Sequence, residues 1–275
     1  MKSIVLICIS LLLFSCNQGR VNNLSTNEGI EGKVKFISEF DYEARAKFGE
    51  ITKDSLLFKI TYKYDEKGNE IEENSYGSDE NLISKMTYEY NNEGNAIESN
   101  RYNIDGSLAQ RFVFKYNEQG KVSERNDYNA DGSLDHKSIF KYNEEGKVIE
   151  KNNYYSDGSL DDKMMYNYKE QGKEVEINCY NSIDSMISKT ISKYDEKGKE
   201  MESNFYNPAN TLWLTSTNKY NAEGIVIENI YFETGRKKSV LKFNYQFDKH
   251  GNWIIKNKYL DDKPIQITER EIEYY

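Results

Sequence analysis

A tyrosine returns every 26 residues, at Tyr64, Tyr90, Tyr116, Tyr142, Tyr168, Tyr194 and Tyr220, and a glycine follows each of them four positions later, from Gly68 to Gly224. A period of this length means one supersecondary unit copied along the chain, so fold, edges and binding surface are all set per repeat.

One unit runs from Leu134 to Tyr154 and ends in Tyr155-Ser156-Asp157-Gly158-Ser159. Its turns, Asn143-Glu144-Glu145-Gly146 and Asn129-Ala130-Asp131-Gly132, put Asn first and Gly fourth, which suits a type I turn closed by a left-handed residue. Between the turns apolar residues alternate in twos, as in Phe58, Ile60, Tyr62 and Tyr64, the period of a strand. The expected fold class is therefore all-β, with tandem 26-residue β-hairpin repeats forming an extended, twisted or curled antiparallel meander of seventeen or so strands.

Offsets from the clock tyrosine assign faces. Leu56, Leu82, Leu108, Leu134, Leu160, Met186 and Leu212 lie an even number of residues before it and share its face, whereas Lys59, Lys85, Arg111, Lys137, Lys163 and Lys189 take the other. The second strand carries Glu72, Glu98, Glu124, Glu150, Glu176, Glu202 and Glu228, preceded in most units by an aliphatic such as Ile71, Ile97 or Ile227. A four-residue loop brings the Glu row onto the Lys row, and a three-residue loop with a Gly bulge turns it against the aromatics. The four-residue loop is favoured, because it leaves Tyr76, Tyr102 and Tyr128 on the polar face.

Composition limits the partners and the core. With 46 acidic and 37 basic residues the net charge is −9, which argues against nucleic acid. The hydrophobic fraction includes 23 tyrosines and few aliphatics. A closed globule of this length would bury roughly three quarters of its unfolded surface. A thin, extended structure suits this composition better.

The first residues read as an address. Lys2, the apolar run Ile4 to Phe14 and Leu13-Phe14-Ser15-Cys16 form a lipoprotein signal peptide over residues 1–15 with a lipobox. Eleven residues at about 1.5 Å each fall short of a hydrocarbon core of roughly 30 Å. Cys16 is the expected lipid attachment site, Cys8 leaves with the signal, and Cys179 alone remains, so no intramolecular disulfide is expected. Residues 16–32 read as the lipidated N-terminus and flexible tether, and 33–275 as the repeat domain with degenerate terminal units. Residues 33 to about 55 lack the clock. The last unit replaces the tyrosine with Phe247, adds Trp253 and ends in a closing strand from Ile267.

The recurring Tyr-Asp-x-x-Gly-Asn/Lys, the Glu-rich strand and Tyr-x-x-Asp-Gly-Ser resemble the YD-repeat (Rhs-type) family over about residues 56–260, and more loosely short repeat-containing bacterial lipoproteins. The resemblance implies a β-strip. In the large members such a strip resembles a shell around a toxin. No cargo domain is expected beyond this array, so a curled sheet is anticipated rather than a hollow shell.

Chemistry-bearing residues are few. Asp127-x-Asn129-x-Asp131-Gly132 imitates the start of a calcium loop but has Ser138 where a bidentate Glu belongs, so it reads as a turn. His136 and His250 occupy unrelated repeat positions. The expectation is a non-enzymatic chain with no catalytic residue, metal or cofactor. The candidate ligand-binding residues are Tyr64, Tyr90, Tyr116, Tyr142, Tyr168, Tyr194 and Tyr220, which either pack the repeats together or stack on an extended protein or a glycan. The expected function is a lipid-anchored cell-envelope protein, at the outer membrane, that presents a β surface for protein binding or scaffolding. The alternative is a carbohydrate-binding module using exposed tyrosine ladders. The partners are the membrane through the lipid, and a protein or glycan.

Overall fold

The computed structural model describes residues 30–48 and 50–275; the signal peptide, Cys8, Cys16 and most of the tether lie outside the described residues. The described residues form eighteen strands. They are β1 (Val34–Lys47), β2 (Glu50–Tyr64), β3 (Glu70–Tyr76), β4 (Leu82–Tyr90), β5 (Ala96–Tyr102), β6 (Leu108–Tyr116), β7 (Val122–Asn129), β8 (Leu134–Tyr142) and β9 (Val148–Tyr155). Then follow β10 (Leu160–Lys169), β11 (Glu174–Asn181), β12 (Met186–Tyr194), β13 (Glu200–Tyr206), β14 (Leu212–Tyr220), β15 (Val226–Glu233), β16 (Ser239–Phe247), β17 (Trp253–Leu260) and β18 (Lys263–Tyr274).

Each strand pairs antiparallel with its chain neighbours, and β1 pairs with β18 from Val34↔Tyr274 to Glu43↔Gln266. The all-β meander is as expected, but the extended or curled sheet is corrected to a closed barrel. The degenerate end units explain the difference. They have lost the clock yet keep strands of 14 and 12 residues, so each supplies the other's missing ladder partner and neither edge stays open. Closure also answers the shortage of aliphatics, since a hollow cylinder needs no second layer. Among the described residues a compact apolar cluster sits at the seam, where Val34, Ile37, Tyr62 and Tyr64 pack with Ile30, Ile60, Ile272 and Tyr274. Asn252 ties the entering chain to this corner, accepting from the Glu31 N–H at 2.7 Å and donating to the Glu31 carbonyl at 2.8 Å.

The register follows from two compensating irregularities. In the clock turns the Gly68 N–H donates to the Asp65 carbonyl and the Asp65 N–H to Asn69, a three-residue loop with Gly68 at φ 84°. The Asp65 carboxylate accepts from the N–H groups of Lys67 and Asn69, both at 2.9 Å, which explains the first-position Asx. The favoured four-residue loop is thus corrected in these units. The ladder then skips Ile71, passing from Tyr64↔Glu70 to Lys63↔Glu72, and this bulge restores the register that a four-residue loop would give. Ile97 and Ile227 are skipped in the same way. Where Lys169 replaces the Asx, a true four-residue loop forms between the pair Lys169↔Glu174 and no bulge is needed. Glu therefore lies on the face of the Lys row and directly opposes a lysine in Lys63↔Glu72, Lys115↔Glu124 and Lys141↔Glu150, whereas Glu89↔Glu98 and Asn167↔Glu176 depart from the pattern.

The clock tyrosines close the strand ends. Tyr90, Tyr116, Tyr142, Tyr168 and Tyr220 each donate their hydroxyl to the backbone carbonyl twenty positions earlier, at Glu70, Ala96, Val122, Val148 and Glu200, over 2.5–2.8 Å. Those carbonyls lie beyond the last pair of the ladder with the strand that carries the tyrosine, so the phenol satisfies an acceptor that this ladder leaves over. Replacing Tyr142 with Phe is expected to cost about 0.5–1.5 kcal/mol while leaving the circular dichroism spectrum unchanged. Thermal unfolding measures this as a fall of about 2–4 °C per kcal/mol. An unchanged midpoint would show that water replaces the phenol at no cost.

Candidate functional site

The barrel has two chemically distinct walls. One carries the clock tyrosines, and on neighbouring strands Ser99, Arg125 and Lys151; the other carries the Lys and Glu rows. Curvature identifies the tyrosine wall as the inner one. Among the described residues the three with no exposure, Ile37, Ala96 and Thr268, all lie on it, since Ile37 pairs with Tyr62, Ala96 with Tyr90 and Thr268 with Asp41. Loss of water also falls on this wall. Burial raises the Asp41 and Glu73 carboxyls and the Cys179 thiol, and lowers the ammonium groups of Lys151, Lys256 and Lys258. Side chains converge on a concave face and splay on a convex one.

The outer wall is a polar lattice. Glu124 accepts from Lys115 at 2.7 Å and from Lys137 at 3.0 Å, one lysine from each flanking strand. Equivalent pairs are Lys85–Glu72 at 2.7 Å, Lys141–Glu150 at 2.9 Å and Lys219–Glu228 at 2.6 Å. Hydrogen bonds from the lysines hold Glu124 at about 2 and keep Glu150, Glu176 and Glu228 below the usual carboxylate range. An asparagine two residues beyond the Glu donates its amide to that carboxylate in six units, through Asn74, Asn100, Asn126, Asn152, Asn178 and Asn204, whereas Ile230 follows Glu228. This row recurs every 26 residues and is legible in the sequence, but spacing built on Tyr, Gly, Lys and Glu gives it no role. Beyond it, Lys59, Arg111, Lys163 and Lys189 sit over the rings of Tyr76, Tyr128, Tyr180 and Tyr206 at 4.5–5.5 Å.

The inner wall breaks the repeat where the outer wall keeps it. On the strand after each clock turn, the outward positions hold Glu, Asn and Tyr almost without change. The inward positions between them read Glu73, Ser99, Arg125, Lys151, Ile177, Ser203, Asn229 and Lys256, and then Ser75, Arg101, Asp127, Asn153, Cys179, Phe205, Tyr231 and Lys258. In a copied scaffold the varied positions are those free to carry specificity. No sequence spacing marks them, because variation has no period.

The chemistry-bearing residues are dispersed. Asp127 is ion-paired with Arg125 on the inner wall, whereas Asp131 accepts from Ser133 in the turn, so the calcium-like string does not converge. His136 lies 3.1 Å from Asp135 and against Tyr155, while His250 stacks on Tyr274 at the far rim. Among the described residues no group of three His, Cys, Asp or Glu could hold a metal ion. The candidate tyrosines Tyr64, Tyr90, Tyr116, Tyr142, Tyr168, Tyr194 and Tyr220 are buried or half-buried on the inner wall rather than on an exposed ladder.

The two rims also differ. The chain enters at the clock-turn rim, whereas Phe48, Ile83, Ile104, Ile183 and Trp213, which are 97, 56, 72, 81 and 40% exposed, crowd the opposite one.

Densest of all is the seam. Arg270 donates through Nε to Glu39 at 2.7 Å and lays its guanidinium over Trp253 at 3.5 Å. Asp41 accepts from Gln266 at 2.5 Å and from the Thr268 hydroxyl. Lys256 Nζ lies 4.7 Å from the Trp253 ring, and Tyr245 meets that ring edge-on.

Among solved structures, a porin-like protein from Bacteroides uniformis ATCC 8492 is similar at a TM-score of 0.46 and 11% identity, over 89% of this chain and 98% of that one. A protein of unknown function from Bacteroides fragilis NCTC 9343 is similar at 0.30 and 16%, over 37% of this chain and 86% of that one. A TcdB2-TccC3-TEV structure is similar at 0.29 and 10%, over 83% of this chain and 15% of that one. No curated protein matches. One family profile, described as "Uncharacterised protein", matches residues 78–182 and again 154–273, and the chain belongs to that family.

Proposed function

We propose that this chain is a non-catalytic, lipid-anchored protein of the cell envelope whose barrel stands in water beside the outer membrane and serves in binding or scaffolding. The observation that carries this reading is the outer wall. A barrel that crosses a bilayer needs an outward apolar band about 25 Å tall, and Lys or Arg at its middle costs about 2–4 kcal/mol each. Here Lys115 and Arg111 bracket Val113 on one strand, with Glu124 beside them on the next, so charge recurs within each half of the wall. Attachment is assigned to Cys16, and the exposed apolar rim opposite the tether is the face offered to a protein partner.

Two results test the reading. Radiolabelled palmitate is expected to enter the protein and to be lost in Cys16→Ala. A specific protease site inserted after Val21 is expected to release the barrel from opened membrane vesicles into the supernatant. A cleaved barrel that stays with the pellet until detergent is added would mean that the strands themselves span the bilayer.

A further inference from the structure

We infer that the seam of the inner wall is a binding site for a small molecule bearing a carboxylate or phosphate. The seam brings three cations, Lys256, Lys258 and Arg270, against two carboxylates, and both carboxylates are already engaged. Glu39 takes Arg270, and Asp41 takes Gln266 and Thr268. Among the described residues neither lysine ammonium has a carboxylate oxygen within 4.0 Å. Both lysines are half-buried, so solvent and a small solute can still reach them.

Register places the two lysines in one site. Lys256 pairs with Tyr245 and Thr268, and Lys258 with Phe243 and Gln266, so both project from β17 into the barrel with a ring on one side and a hydrogen-bonding side chain on the other. Two strand residues on one face stand roughly 7 Å apart, a span that the oxygens of one carboxylate or phosphate bridge once the flexible lysine stems lean together. Lys256 feels the charge of Glu39 and Asp41 and Lys258 that of Asp41, but neither ammonium is in ion-pair contact, so each stays desolvated at a cost that an anion arriving at contact distance lowers. The Trp253 ring, already under Arg270, forms the floor.

The rest of the barrel argues that this pair is particular. At the same two inward positions Arg125 is neutralised by Asp127 in its own strand, and Lys151 is followed by Asn153. The seam unit alone puts lysine at both, in a wall otherwise free to vary.

The inference deepens the binding role proposed above but does not need the lipid or the protein-binding rim, and its test is separate from the release assay. The protein holds two tryptophans, so Trp213→Phe leaves Trp253 as the sole indole reporter. Full-length Trp213→Phe protein in detergent is titrated with glucuronate, glucose 6-phosphate and glucose. Saturable change in Trp253 emission is expected with at least one of the anions and not with glucose. The two arms separate carboxylate from phosphate. Adding Lys256→Met and Lys258→Met is expected to weaken binding at least tenfold, whereas Lys115→Met on the outer wall leaves it unchanged. Should the double lysine variant fail to fold, lysine acetylation of the parent protein decides: the effective anion is expected to protect Lys256 and Lys258 but not Lys115. An identical response to glucose and both anions, binding that survives the double substitution, or absence of protection would overturn the assignment.

Discussion

Removing residues 263–275 will leave a protein that no longer purifies as a folded monomer. The deletion takes away β18, so β1 loses the partner that runs from Val34 to Glu43, and β17 loses its pairing from Ile255 to Leu260. Two long unpaired edges then face solvent in a protein with little apolar core, the arrangement that drives edge-to-edge association. The same cut strips Ile272 and Tyr274 from the seam cluster, Arg270 from Glu39, and Gln266 and Thr268 from Asp41. Breaking one buried charged pair costs about 3–5 kcal/mol, a large share of the 5–15 kcal/mol that holds an ordinary domain together. Size-exclusion chromatography is expected to show aggregates, and denaturant unfolding is expected to lose its single transition. A milder probe of the same region is Ile37→Ala, which empties a fully buried position and is expected to cost about 2–5 kcal/mol. A truncated chain that stays monomeric with an unchanged unfolding midpoint would mean that the open strip is already stable and closure adds nothing.

That dependence on the seam explains what the amino-acid pattern could and could not reveal. Strand, turn and face were legible because each has a local cause that repeats: a φ-positive Gly68, an Asp65 side chain bonded into its own turn, alternation through Tyr62 and Tyr64. Loop length was not legible, because a three-residue turn followed by a skipped Ile71 leaves the same facing as a four-residue loop, and periodicity reports only the facing. Closure was hidden for another reason. It rests on the pairing of β1 with β18, residues more than two hundred positions apart in the two units that have lost the clock, and no local signal links Ile37 to Ile272. The inner wall was hidden by its own variety: Lys256 and Lys258 look like ordinary strand lysines until the barrel sets Lys256 beside Trp253 and Lys258 opposite Phe243 on the same wall.

Acid will unfold the barrel between about pH 4.5 and pH 2, after a slight gain in stability above that range. The outer carboxylates set the steep part. Glu124 is held at about 2, against an ordinary value of 4.5, by its hydrogen bond from Lys115, and Glu150, Glu176 and Glu228 are lowered by Lys141, Lys169 and Lys219 in turn. A carboxyl whose folded value lies below its unfolded one stabilises the fold fully above the unfolded value, and that contribution disappears as pH falls through the folded value. The inner wall works in the opposite sense. Burial raises Asp41 and Glu73, so their charged forms burden the folded state at neutral pH, and taking up protons first relieves it. The two walls can be separated by salt. Exposed pairs contribute only about 0.2–1 kcal/mol each, and at 1 M salt the screening length falls to about 3 Å, so the outer lattice weakens while the desolvated seam does not. Thermal midpoints measured from pH 7 to pH 2 at low and high salt are therefore expected to converge in the acid, where the outer pairs are gone under both conditions, and to differ by a few degrees at pH 7. Lys115→Met should flatten part of the acid limb by freeing Glu124. A profile that falls steadily from pH 7, or one whose acid limb is untouched by both salt and Lys115→Met, would place the acid-sensitive groups on the inner wall instead.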